Sequence, residues 1–211
     1  MDAVEISQKT YLTVDRYHNK TCKACKDHKS RVLTDSEMNA MYIKKDSAYI
    51  CKICDKTVIA DFDKHYKINH MAEIVPSLYL GCFGMASNYK ELKHFGITDI
   101  INTAYKLENM FPREFRYYNM ELQDDLKQHI SPYLDTITNY IHMLITNKAK
   151  VFVHCFLGIS RSSSIIIAYL IKYHNMDYDT AFAYVSEKRC IQPNASFEKQ
   201  LREFSDRIRK Q

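Results

Sequence analysis

Residues 149–175, AKVFVHCFLGISRSSSIIIAYLIKYHN, constrain the fold more than any other part of the chain. AKVFVHC is apolar and rich in β-branched residues, which predicts a central strand. SRSSSIIIAYLIKYHN is apolar on most faces, which predicts a buried helix. Six residues, CFLGIS, must carry the backbone from one to the other. From Ile74 onward the chain keeps alternating short apolar runs with helical patterns, the signature of an α/β domain. EIVPSLYLGCF reads as a strand pair, and ITDIINTA and FRYYNMEL as further strands. MASNYKELKHFG reads as one short helix ended by Gly96. HISPYLDTITNYIHMLITNK reads as a long amphipathic helix with Ser131 as N-cap and Pro132 in its first turn. DYDTAFAYVSEKR and SFEKQLREFSDRIRK predict two more helices.

The strand–loop–helix junction has a chemistry of its own. Backbone N–H groups of such a loop can turn inward, and the helix N-terminus adds partial positive charge. Phe156, Leu157, Gly158, Ile159, Ser160 and Arg161 are therefore expected to cradle a tetrahedral oxyanion. Gly158 lets the backbone turn tightly. Arg161 offers a planar, two-pronged donor to two phosphate oxygens. The same surroundings favour the thiolate of Cys155 and make it a nucleophile facing bound phosphorus. Ser162 can donate to the sulfur and ease its departure in a second step. His154 is expected to orient the loop in a supporting role.

Residues 1–72 read differently. They are polar and rich in Lys, Asp, Cys and His, and a division into 1–72 and 73–211 follows. Cys51, Cys54, His65 and His70 are spaced C-x2-C-x10-H-x4-H. This resembles a Cys2His2 zinc finger shortened by two residues in its middle. A competing set joins Cys22 and Cys25 to Cys51 and Cys54. Either predicts structural zinc that stabilises a segment too small to pack a core alone. The charge does not point to nucleic acid. Residues 1–70 hold 13 Lys and Arg against 10 Asp and Glu, and the remainder 17 against 15. Neither half is strongly basic, so a protein-docking role for the module is preferred. No stretch is apolar enough to span a bilayer, and MDAVEISQKT lacks a secretory pattern. The expectation is a soluble intracellular protein, in the cytoplasm or also the nucleus.

HCFLGISRSSS resembles the signature of the cysteine-dependent dual-specificity protein phosphatases. SLYLGCFGMASNYKELKHFGITDIINTA, AYLIKYHNMDYDTAFAYVSEKR and PNASFEKQLREF are similar to other parts of that family, in the right order. The resemblance runs over about residues 71–210. It implies a central, mostly parallel sheet flanked by helices. It implies hydrolysis of phosphotyrosine, phosphoserine and phosphothreonine through a cysteinyl-phosphate, with no metal or other cofactor in catalysis. Phosphoinositide-selective relatives carry extra lysines in this loop, and relatives acting on RNA 5′-triphosphates carry polar ones. The apolar Phe156, Leu157 and Ile159 favour a phosphoprotein substrate. The alternative is an RNA 5′-phosphatase, or a nucleic-acid-associated phosphatase using the N-terminal finger for binding.

The departing alkoxide or phenoxide needs a proton, which a carboxylic acid on a loop can supply. QDDLKQHIS offers Asp124 and Asp125. Family spacing, counted back from Ile130, selects Asp124, with Asp125 as runner-up. Lys127 and His129 are expected to face solvent.

Overall fold

The computed structural model describes residues 70–210 together with three short strands nearer the N-terminus. Those strands, β1 (Tyr42–Lys45), β2 (Ala48–Cys51) and β3 (Thr57–Val58), form a small antiparallel sheet in the order β1-β2-β3. Of the expected zinc ligands, Cys22, Cys25, Cys54 and His65 lie outside the described residues.

The main sheet has five strands: β4 (Ala72–Val75), β5 (Leu78–Cys82), β6 (Asp99–Ala104), β7 (Arg116–Leu122) and β8 (Val151–Cys155). Their spatial order is β4-β5-β8-β6-β7. Only β4 and β5 pair antiparallel, while β8 lies parallel between β5 and β6. The last strand in the sequence is thus the central one. Every residue of β5, β6 and β8 is buried, as a sheet covered on both faces requires.

Helices cover the two faces unequally. One face carries α1 (Phe83–Ala86) and α2 (Tyr89–His94), packed with Tyr79, Ile100 and Phe152. The other carries α3 (Ser131–Thr146), α4 (Arg161–Tyr173), α5 (Tyr178–Lys188) and α6 (Ala195–Ile208). Helix α4 is buried continuously from Ser162 to Ile171, as its all-round apolar sequence predicts. His70 and Met71 are also fully buried, and Met71 belongs to the core on the α1/α2 side.

Two local expectations are corrected. MASNYKELKHFG forms two helices rather than one, because Asn88 adopts extended backbone and caps α2 by accepting the Glu91 N–H at 3.1 Å. Gly96 does follow α2 in the left-handed region, at φ 68°. Ser131 is the first residue of α3, not its N-cap. Residue Ile130 holds that position without a side-chain cap. The orphan donors are met from another helix. The Gln200 side-chain oxygen on α6 accepts from the Ile130 and Ser131 N–H groups at 2.7 and 3.0 Å.

Candidate active site

Strand β8 ends at Cys155 and α4 begins at Arg161, so residues 156–160 form the loop at the C-terminal end of the central strand. This is where open α/β sheets leave a crevice for ligands. A cavity of about 380 Å³ opens here, lined by Asp124, Cys155, Arg161, Gln192, Pro193 and Asn194 among others. The structure therefore brings Asp124, from the loop after β7, to the Cys155 and Arg161 junction.

Cys155 is a free, buried thiol. Its sulfur accepts the Gly158 N–H at 3.2 Å and the Ser162 hydroxyl at 3.3 Å. Two donors thus converge on the sulfur from its own loop and the helix that follows. The loop carbonyls are tied outward. That of Phe156 accepts the Phe83 N–H at 3.1 Å, that of Ile159 the Gln192 N–H at 2.8 Å, and that of Ser160 the Ser164 N–H at 2.9 Å. In a planar trans peptide the following N–H points opposite to the carbonyl. The N–H groups of Leu157, Ser160 and Arg161 thus turn away from these ties, toward the interior of the loop. Such a nest suits an anion.

The Arg161 side chain is mostly buried. One terminal nitrogen donates to the Leu122 carbonyl at 3.4 Å. Its Nε lies 3.5 Å from an Asp124 oxygen, yet among the described residues it makes no hydrogen bond. The geometry is an ion contact with a donor still in hand. A buried guanidinium donor of this kind is suited to taking an anionic oxygen.

The two acidic candidates separate clearly. Asp124 Oδ1 accepts from the Ser160 hydroxyl at 2.7 Å and from the Asn194 amide at 3.0 Å. Asp125 turns its carboxylate to its own loop, accepting the Lys127 and Gln128 N–H groups at 2.8 Å each. That is a local turn contact. Lys127 and His129 are exposed.

His154 is fully buried, stacked on Phe152, with Nδ1 3.4 Å from the Cys155 carbonyl. A carbonyl only accepts, so Nδ1 carries the proton and Nε2 is a bare acceptor. Among the described residues that Nε2 has no partner. Burial pushes the imidazole pKa down to about 4, so the ring is neutral at physiological pH. His154 supports the loop through backbone as well, since its carbonyl accepts from the Thr103 hydroxyl at 2.9 Å.

The Phe156 side chain turns away from the cavity. It does not line the cavity, and its ring is 49% exposed, stacked on Phe83 at 6.3 Å. Sequence reasoning also missed Asn194. The signal was present, since an Asn directly before a helical pattern is an N-cap. Asn194 caps α6 through the Phe197 N–H at 3.0 Å while its amide grips Asp124. No group of three or more His, Cys, Asp or Glu residues is arranged to hold a metal among the described residues. Of the expected zinc ligands only His70 has a described side chain. Its Nδ1 faces Glu91 at 3.3 Å.

The family model described as the dual specificity phosphatase catalytic domain matches residues 78–207. The chain belongs to this family. Protein phosphatase Slingshot of Drosophila melanogaster is 37% identical over 134 residues, covering 63% of this chain and 13% of that protein. Human dual specificity protein phosphatase 26 is 34% identical over 147 residues, covering 67% of this chain and 70% of that protein. The chain thus spans well under half of several curated relatives, including 37% of the Xenopus laevis dual specificity protein phosphatase 1-B. Among solved structures, the human tyrosine phosphatase-like serine/threonine/tyrosine-interacting protein matches with a TM-score of 0.62 and 36% identity, over 67% of this chain and 99% of that one. DUSP15 matches with a TM-score of 0.62 and 28% identity, over 67% and 94%. Among the described residues no helix is long and apolar enough to cross a membrane.

Proposed function

We propose that this chain is a dual-specificity protein phosphatase that hydrolyses phosphotyrosine, phosphoserine and phosphothreonine through a cysteinyl-phosphate. The observation that carries this reading is the Cys155 sulfur, which accepts hydrogen bonds from Gly158 and Ser162 beside the Arg161 guanidinium. In the first step the Cys155 thiolate attacks phosphorus and the bond to the leaving oxygen breaks. Asp124, protonated, gives its proton to that oxygen. In the second step water attacks the phosphocysteine, Asp124 takes a proton from it, and the sulfur leaves as thiolate. The Ser162 hydroxyl stabilises that departing charge. Arg161 and the loop N–H groups hold the equatorial oxygens in both transition states. Every group in this scheme belongs to the chain, so no cofactor is required.

The substrate class rests on the lining of the cavity. Leu157, Ile159, Pro193 and Ala195 are apolar, and Arg161 is the one cation among the lining residues. A single cation suits one phosphomonoester, as on a phosphoprotein, better than a polyphosphorylated inositide or an RNA triphosphate. Purified protein should hydrolyse an aryl phosphate in the presence of a chelator, and Cys155→Ser should abolish this. Hydrolysis that survives Cys155→Ser would sink the mechanism.

The N-terminal module is read as a zinc-dependent protein-docking unit held by Cys51, Cys54, His65 and His70, with Cys22 and Cys25 as the competing pair. Two observations support it. Strand β2, which ends on Cys51, pairs antiparallel with β3, which follows Cys54 in the sequence, as in the hairpin such a knuckle uses. The Glu91 carboxylate on the His70 ring is the kind of partner that zinc-binding histidines keep. The division between the two is placed at 72/73, with His70 and Met71 at the end of the module packed against the catalytic core. An intracellular setting, in the cytoplasm or nucleus, belongs to the same reading. Metal analysis of the full chain, repeated with Cys22→Ser and His70→Ala, decides the ligand set.

A further inference from the structure

Arg189 is the largest fully buried side chain among the described residues. Arginine is almost never fully buried without a specific partner, and the mechanism above does not use it. Its surroundings are unusual. Nε donates to the Gly158 carbonyl at 3.4 Å, and Nη1 to the His70 carbonyl at 3.4 Å. The His70 ring in turn faces Glu91 at 3.3 Å, and Glu91 accepts the Met71 N–H at 2.9 Å. His70, Glu91 and Arg189 are all fully buried. A Cβ built on Gly158 would lie 2.3 Å from the Gly81 carbonyl oxygen and 3.1 Å from Arg189 Nη2, which sets the guanidinium beside the end of β5.

We propose that Arg189 is a positioning residue for the phosphate loop, acting through the Gly158–Ile159 peptide. The inference rests on the phosphatase reading of that loop. The carbonyls of Phe156, Ile159 and Ser160 are held by backbone N–H groups of neighbouring elements. The Gly158 carbonyl is held by a charged side chain from beyond α5. Gly158 has φ 71°, so its flanking peptides face in unrelated directions and its carbonyl needs a separate anchor. Arg189 supplies one. Because the peptide is planar and trans, fixing the carbonyl on Arg189 sends the Ile159 N–H the opposite way, into the loop interior. The same glycine donates its own N–H to the Cys155 sulfur. One guanidinium therefore sets an oxyanion donor on the peptide next to the one bonded to the nucleophile. Through His70 it also links the loop to the start of the catalytic unit.

The test uses the full chain with Arg189→Met, Arg189→Lys and the double variant Arg189→Met/Glu91→Gln. The double variant removes both buried charges and guards against simple unfolding. Tungstate binding is measured by calorimetry, which needs no turnover, alongside kcat and KM for an aryl phosphate and the thermal midpoint. Loss of one charge-assisted anchor should weaken tungstate binding and raise KM by about tenfold or more. The loss should persist in the double variant, and lysine should restore part of it. Wild-type tungstate affinity in a folded Arg189→Met or double variant overturns the proposal. So does a loss that disappears when the double variant regains its thermal midpoint, since Arg189 would then be structural only. If the wild-type chain binds tungstate yet hydrolyses nothing, the phosphatase reading fails while the binding comparison still decides the role of Arg189.

Discussion

Replacing Gly158 with alanine tests whether the phosphate loop is fixed by backbone geometry. A Cβ built there would lie 2.3 Å from the Gly81 carbonyl oxygen and 2.7 Å from its carbon, against a floor of 3.0 Å for real contacts. The obstacle is backbone of a fully buried strand, so the loop itself must retreat by about 0.7 Å. Positive φ adds about 1–2 kcal/mol of strain. Misplacement of reacting groups by roughly 1 Å can cost on the order of 100-fold in rate. We therefore expect Gly158→Ala to lose about 100-fold in kcat/KM on an aryl phosphate. Gly96→Ala is the matched comparison. Gly96 has nearly the same φ, 68°, but its nearest contact would be the flexible Lys150 side chain at 3.6 Å. That variant should lose about 1 kcal/mol of stability and keep its kcat/KM. Both are read by steady-state kinetics and thermal unfolding. Wild-type kcat/KM in Gly158→Ala, or equal losses in the two variants, would refute the geometric reasoning.

Asp124→Asn should depress turnover while preserving oxyanion binding, and Asp125→Asn should leave most turnover intact; the reverse pattern in steady-state kinetics would exchange their roles. Asn194→Ala removes the α6 cap and one anchor of Asp124, so it should cost about 1 kcal/mol of stability and lower kcat, as read by urea unfolding and kinetics. Gln200→Ala strips the acceptor from the start of α3 and should cost roughly 1–3 kcal/mol in the same unfolding assay. His154 binds its proton less readily in the folded state, at a pKa of about 4, than in the unfolded state at about 6.5. Its contribution is therefore fully present above pH 6.5 and fades as pH falls toward 4, by about 3 kcal/mol in total. Urea unfolding at pH 7.5 and 4.5 should show that slope in the wild type and a shallower one in His154→Gln.

Most of the scaffold was legible because it is written locally. The apolar run at 151–155 and the buried pattern at 161–173 are both short-range signals. The junction of Cys155 with Arg161 was legible for the same reason, since both sit on one continuous loop. Contacts between distant segments were not. Family spacing put Asp124 ahead of Asp125, and the fold adds what spacing does not carry, that Asp124 meets Ser160 and Asn194. Ser131 is a good N-cap residue by type, yet Gln200, 69 positions away, answers the same donors. The helix expected over 85–96 split because Asn88 competes for the backbone more strongly than the apolar periodicity on either side of it. The outward turn of the Phe156 ring was not legible, because spacing along a loop does not say which side chains face its mouth. Arg189 carried no signal at all, for a buried arginine looks like a surface one until its surroundings are known.

Helix α6 bears on the order in which this molecule matures. Asn194 at its cap steadies Asp124, and Gln200 in its second turn secures the end of the loop that carries Asp124. The nucleophile, its loop and the acid itself all precede that helix in the chain. During synthesis, a nascent chain that has already built its nucleophilic loop still lacks a seated acid. Competence arrives only after the helix beginning at residue 195 has emerged and docked. A chain clipped before residue 195 would lose these supports of Asp124 together with the core side chains Phe197, Leu201 and Phe204.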